Sequence, residues 1–94
     1  MGWGFLTNHA QALLCIAHDP GVRLREIAST LGITERAAFG IVTDLVDAGY
    51  VVKDKDGRRN RYEVQIDKPL PEARLGQRTI GQLVDLLAHT EADT

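Results

Sequence analysis

The chain has a single cysteine, Cys15, so no intrachain disulfide can form, and one thiol within an apolar helical pattern reads as a packed side chain in a reducing cytoplasm. Aromatic residues supply only 5% of the 94 positions, which leaves Leu, Ile, Val and Ala to build the core and favours helices packed through aliphatic stripes. No apolar run approaches the ~20 residues of a membrane span, and the start, Met1-Gly2-Trp3-Gly4-Phe5-Leu6, lacks the basic segment and apolar run of a signal peptide. The expectation is a cytoplasmic protein without a membrane partner. A basic excess is missing too: 11 Lys and Arg stand against 13 Asp and Glu, a formal charge of −2, which excludes a chain that coats nucleic acid indiscriminately.

Catalytic and cofactor patterns are equally sparse. Cys15 has no activating base or oxyanion pocket in view, and no glycine-rich phosphate loop of the P-loop or dinucleotide type occurs, so the expectation is a non-enzyme without a cofactor. Cys15 and His18 sit one helical turn apart, but two ligands do not make a tetrahedral site, and His9 and His89 have no partner in the pattern. No metal is expected.

What the chain does contain is periodicity. A capping box at Asn8-His9-Ala10-Gln11 precedes apolar Ala10, Leu13, Leu14 and Ala17, which predicts a first helix to about His18, ended by Asp19-Pro20-Gly21. A short helix over Leu24–Leu31 follows, with Ile27, Ala28 and Leu31 on one side, and Gly32 gives a sharp turn. Thr34 caps a third helix whose inner stripe is Ala38, Ile41, Val42 and Leu45, with Gly49 where a helix stops. The period then changes. Tyr50–Lys53 reads as a strand, Asp54–Asn60 as a loop containing the turn pair Asp56-Gly57, and Arg61–Ile66 as a second strand with Tyr62, Val64 and Ile66 alternating. Beyond Pro69 and Pro71, Ile80, Leu83, Val84 and Leu87 return to helical spacing over roughly Gln77–His89, ahead of a frayed tail.

Charge is uneven along this pattern. From Lys53 to Arg61 five basic residues (Lys53, Lys55, Arg58, Arg59, Arg61) face two acidic ones (Asp54, Asp56), a local balance of +3. The stretch Arg25–Val64, REIASTLGITERAAFGIVTDLVDAGYVVKDKDGRRNRYEV, resembles the winged helix-turn-helix regulators, in particular small MarR-like and ArsR-like bacterial or archaeal repressors. Apolar Ile27, Leu31, Ile33, Ala38 and Ile41, small Ala28 at the helix crossing, Gly32 at the turn and the basic hairpin carry the resemblance jointly. It implies a mainly α fold with a small β-hairpin wing, namely a three-helix core plus a C-terminal helix. The expected division is a DNA-binding domain over 1–67, a linker over 68–76, and a C-terminal helix over 77–90 that dimerises.

The resemblance also implies a partner, double-stranded DNA, and a role in transcription as a repressor. A recognition helix over 34–48 would enter the major groove, with Arg36 bidentate to guanine, Glu35 accepting from cytosine N4, Thr34 or Thr43 on a base edge or phosphate, and Phe39 against a thymine methyl. Glu35 can instead complement the helix dipole, Arg36 can be a solvated surface residue, and Phe39 can belong to a core or interface. Relatives often carry polar or basic side chains at the positions of Phe39 and Gly40, so this helix offers fewer hydrogen-bonding groups, which limits readout or shifts it to the wing and DNA shape. A basic wing over 53–61 would place Lys55, Arg58, Arg59 and Arg61 on the backbone or in the minor groove, Arg58 and Arg59 foremost. Arg59 and Arg61 share a face only if the second strand begins by Arg59. A homodimer would use Trp3, Phe5, Ile80, Leu83, Val84 and Leu87; the alternative is that helix four folds back to close its own core. The alternative is a winged-helix module that docks a protein instead of DNA. No convergent polar set marks an effector pocket.

Overall fold

Thr7 starts the first helix. Its Oγ1 accepts from the Ala10 N–H at 3.1 Å, and its extended backbone keeps it outside α1 (Asn8–His18), so the cap lies one residue earlier than the Asn8 pattern predicts. The computed structural model describes residues 4–57 and 59–88, without the side chains of Asp56, Arg59 and Ala88; Trp3, Arg58 and His89, singled out above, lie outside the described residues. The buried face of α1 is Ala12, Leu13 and Ile16, while Ala10, Leu14 and Ala17 are half-buried. Two neighbouring apolar rows both satisfy a 3.6 period here, and the packing partners choose between them.

Asp19 closes α1. Its Oδ1 accepts from the Gly21 N–H at 3.0 Å, turning the chain toward α2 (Leu24–Leu31), whose start is tied by the Glu26 carboxylate accepting from the Arg23 N–H at 2.8 Å. Gly32 ends α2 at φ 70°, which lets the Ile33 N–H reach the Ala28 carbonyl at 3.0 Å and the Gly32 N–H the Ser29 carbonyl at 3.3 Å, the paired bonds of a Schellman end. Thr34 then caps α3 (Glu35–Asp47), accepting from the Ala37 N–H at 3.0 Å. Ile27 and Ala28 of α2 and Ala38, Val42 and Leu45 of α3 are buried together with the α1 face, Val51, Tyr62 and Ile80.

The hairpin is longer than its periodicity suggests. Strand β1 (Val51–Asp56) pairs antiparallel with β2 (Arg59–Val64), from Val51 opposite Val64 to Asp56 opposite Arg59. The expected loop over 54–60 is therefore mostly strand, and Gly57, directly after β1, turns the chain at φ 69°. Charged residues obscured this, because solvated strand ends carry no apolar alternation. Ile66 falls outside β2 and is 58% exposed, although its carbonyl accepts from the Gly81 N–H at 2.9 Å. The outer edge of β2 is covered where the Tyr62 N–H donates to the Pro20 carbonyl at 2.9 Å.

Residues 68–76 fold into a hydrogen-bonded loop around a 3-10 turn (Ala73–Leu75), tied at its ends by Leu70 N–H to Arg78 carbonyl at 3.0 Å and Ile80 N–H to Lys68 carbonyl at 2.8 Å. The last helix, α4 (Ile80–Ala88), begins three residues later than Gln77. Thr79 and Gln82 set that start by reciprocal capping: Gln82 N–H donates to Thr79 Oγ1 at 3.2 Å, and Thr79 N–H to Gln82 Oε1 at 2.9 Å. Helix α4 packs on α1, with Ile80 only 5% exposed and Val84 against the core.

Candidate nucleic-acid interface

One side of α3 is committed inward through Ala38, Val42 and Leu45, which leaves Arg36, Gly40, Thr43 and Asp47 on the opposite row at helical spacing. Glu35, Arg36, Phe39, Gly40 and Asp47 are exposed, and Thr43 is half-buried. Phe39 is 56% exposed, so it is not a core residue of this chain. Thr34 is exposed but its hydroxyl oxygen is engaged by the Ala37 N–H, which leaves it one O–H to donate outward. The exposed surface of α3 thus has Arg36 beside Glu35 at its N-terminal end, a weakly polar centre, and the carboxylates of Asp44 and Asp47 toward its far end.

Register sorts the wing charges in a way that counting cannot. Directly opposed residues in an antiparallel pair point to the same face. Arg61 opposes Asp54, so that arginine and that aspartate share one face. Because β2 begins at Arg59, positions 59 and 61 fall on the same side of the ladder, and Arg61 has a carboxylate across from it. The other face carries Lys53 opposite Tyr62 and Lys55 opposite Asn60, two cations and no anion. The uncompensated positive charge of the described wing therefore lies on the lysine face, whereas the sequence pattern put the arginines first.

That face adjoins a groove. Gly21, Val22, Arg23, Leu24, Arg25, Glu35, Asn60 and Tyr62 line a cleft of about 520 Å³ between the start of α2, the start of α3 and β2. Arg23 and Arg25 are exposed at the first turn of α2, where the helix dipole adds to their attraction for an anion. These two arginines were missed, because in sequence they look like the solvated face of a short helix. The signal that would have found them is the Arg-x-Arg spacing across the helix start. Tyr62 is buried, and burial pushes its phenol up from 10.0, while a hydrogen bond with the Asn60 side chain works in the opposite direction. Tyr62 thereby anchors the strand that carries Asn60 and Arg61.

Asp44 has a partner of its own. The His9 ring donates from Nε2 to Asp44 Oδ2 at 2.8 Å, tying the first turn of α1 to α3, so His9 is not the isolated surface histidine that the pattern implies. Both side chains are largely exposed, which keeps the energy of the pair small. Cys15 is half-buried and its thiol is pushed up by burial, a setting that disfavours the reactive thiolate. Among the described residues no group of three or more His, Cys, Asp or Glu could hold a metal ion, and no helix is long and apolar enough to cross a membrane.

Phe5, Leu14, Cys15, Val22 and Leu87 contribute apolar surface to a second, open groove of about 700 Å³, which shares Val22 with the first. Phe5 is 91% and Leu86 71% exposed. Ile80, expected at a dimer interface, closes the chain's own core instead, and Val84 packs against that core as well; a helical apolar stripe does not reveal whether its neighbour is the same chain or another.

A family model described as MarR family matches residues 3–59, more than half of the chain, from ahead of α1 to the start of β2. No curated protein matches the chain.

Proposed function

This chain belongs to the MarR family, and on that premise we propose that it binds duplex DNA sequence-specifically as a homodimer and represses transcription by occluding a promoter. Members of this family are winged-helix transcriptional regulators rather than enzymes, and they bind DNA, typically as dimers, which supports the reading. The observation that carries the reading to this chain's own residues is the groove where Arg23 and Arg25 stand beside Glu35 of α3 and Asn60 of the wing's lysine face. Arg36 at the N-terminal end of α3 reads a guanine in the major groove, while Arg23, Arg25, Lys53 and Lys55 hold phosphates. Arg61, Arg59 and Arg58 remain candidates for the minor groove at the wing tip. The dimer surface falls to Phe5, Leu83, Leu86 and Leu87, and to Trp3 ahead of the described residues, since Ile80 and Val84 serve the core. A two-fold dimer with reading helices about 34 Å apart predicts a near-palindromic operator.

The test is binding to duplexes selected from a random library, titrated against salt. Each phosphate contact contributes about 0.9 to the slope of log affinity against log salt, so Arg23→Ala with Arg25→Ala lowers the slope by about 1.8. An unchanged slope removes the two arginines from the interface. Failure of any duplex to bind at low salt, together with recovery of a stable protein complex, would favour the protein-docking alternative.

A further inference from the structure

Among the described residues nothing requires position 40 to be glycine. Gly32, Gly49, Gly57 and Gly76 adopt positive φ, and Gly81 sits where a Cβ would meet Ile66 at 2.9 Å. Gly40 instead is helical, exposed, in the middle of α3, and a Cβ there meets nothing within 4 Å. Glycine at such a position weakens a helix relative to alanine. No contact among the described residues offsets that cost, which points to a partner that comes closer to the α3 backbone than a side chain permits.

The surface around Gly40 narrows the choice. Between Arg36 and Thr43 the exposed residues of α3 are Ala37, Phe39 and Gly40, none with a hydrogen-bonding side chain. In the major groove only one feature is apolar, the C5-methyl group of thymine; every other edge is a donor or acceptor that would lose water against Phe39 with nothing in return. We infer that Gly40, with Ala37 one turn before it and Phe39 beside it, forms a notch that receives a thymine methyl, so that this protein reads a T·A pair near the centre of its half-site by shape. This rests on the DNA-binding reading above. It accounts for a reading helix with so little polarity: Arg36 supplies the hydrogen-bonded contact, and the notch supplies an apolar one.

The experiment uses the tightest duplex recovered from a random library and the same duplex made with deoxyuridine in place of every thymine, which removes only methyl groups. At constant salt the wild-type protein should lose about fourfold in affinity for each thymine methyl it buries. Phe39→Ala, at an exposed site, should fold normally and bind the two duplexes alike. Gly40→Ala should bind the thymine duplex more weakly than wild type although its fold is more stable. Equal wild-type affinity for both duplexes overturns the inference. So does a thymine preference that Phe39→Ala leaves intact, because it would then come from DNA shape, and so does a Gly40→Ala variant with undiminished affinity. If no duplex is recovered at all, the DNA-binding reading fails first, and the notch falls with it.

Discussion

Replacing Gly81 and Gly40 by alanine, one at a time, makes the same chemical change in two helices, yet the surroundings demand opposite outcomes. In a helix interior, alanine is better than glycine by about 1 kcal/mol. At Gly40 a Cβ enters open space, so that gain stands, and the melting temperature should rise by roughly 4–8 °C, the shift that 1 kcal/mol produces in a domain of this size. At Gly81 the added Cβ would lie 2.9 Å from both the Cβ and the carbonyl oxygen of Ile66, whereas carbon atoms pack comfortably at about 3.5–4.0 Å. Neither atom can retreat cheaply. The Ile66 carbonyl accepts from the Gly81 N–H at 2.9 Å, so opening the gap breaks the bond that docks the start of α4. Overpacking of about 1–3 kcal/mol and a lost hydrogen bond of about 1 kcal/mol outweigh the propensity gain, which is reduced in the first turn of a helix. A net loss of about 1–3 kcal/mol follows, read as a fall of at least about 4 °C by circular dichroism. A Gly81→Ala variant that melts at or above wild type, or two variants that shift in the same direction, would refute the reasoning.

Ile16 is fully buried where α1 meets the core, so Ile16→Ala should cost about 2–5 kcal/mol, measured as a lower urea midpoint; a loss below about 1 kcal/mol would contradict the burial. For pH, the Cys15 thiol and the Tyr62 phenol are both pushed up by burial, from 9.0 and 10.0. Because the unfolded chain ionises first, their stabilisation is complete below those values and is lost as pH rises through and beyond them. The urea midpoint should therefore fall above about pH 9, and Cys15 should react with a thiol reagent at neutral pH more slowly than free cysteine. A midpoint that rises with pH in that range would count against both assignments.

The fold was legible to the extent that local chemistry specifies it. Helices α2 and α3 follow from Ile27, Ala28, Ala38, Val42 and Leu45 at a 3.6 period with Gly32 and Thr34 between them, and each sits where the pattern puts it. Less legible was α1, whose apolar residues fit two rows, and the start of α4, where the Thr79–Gln82 cap was overlooked. The hairpin was read too short because Lys53, Asp54, Lys55 and Asp56 alternate in charge rather than hydropathy.

Periodicity, turn glycines and capping residues act over a few positions, so the order of elements, the inner stripe of α3 and the presence of a charged hairpin are written in the chain itself. Three matters waited for the tertiary structure. Strand register decided that Arg61 faces Asp54 while Lys53 and Lys55 carry the open charge, since a pairing offset of one residue exchanges the faces. Packing of α1 against both α2 and β2 brought Arg23 and Arg25, far from Asn60 in sequence, to one groove. Packing of α4 on α1 turned Ile80 inward, because burial depends on which surface a stripe meets and not on the stripe alone.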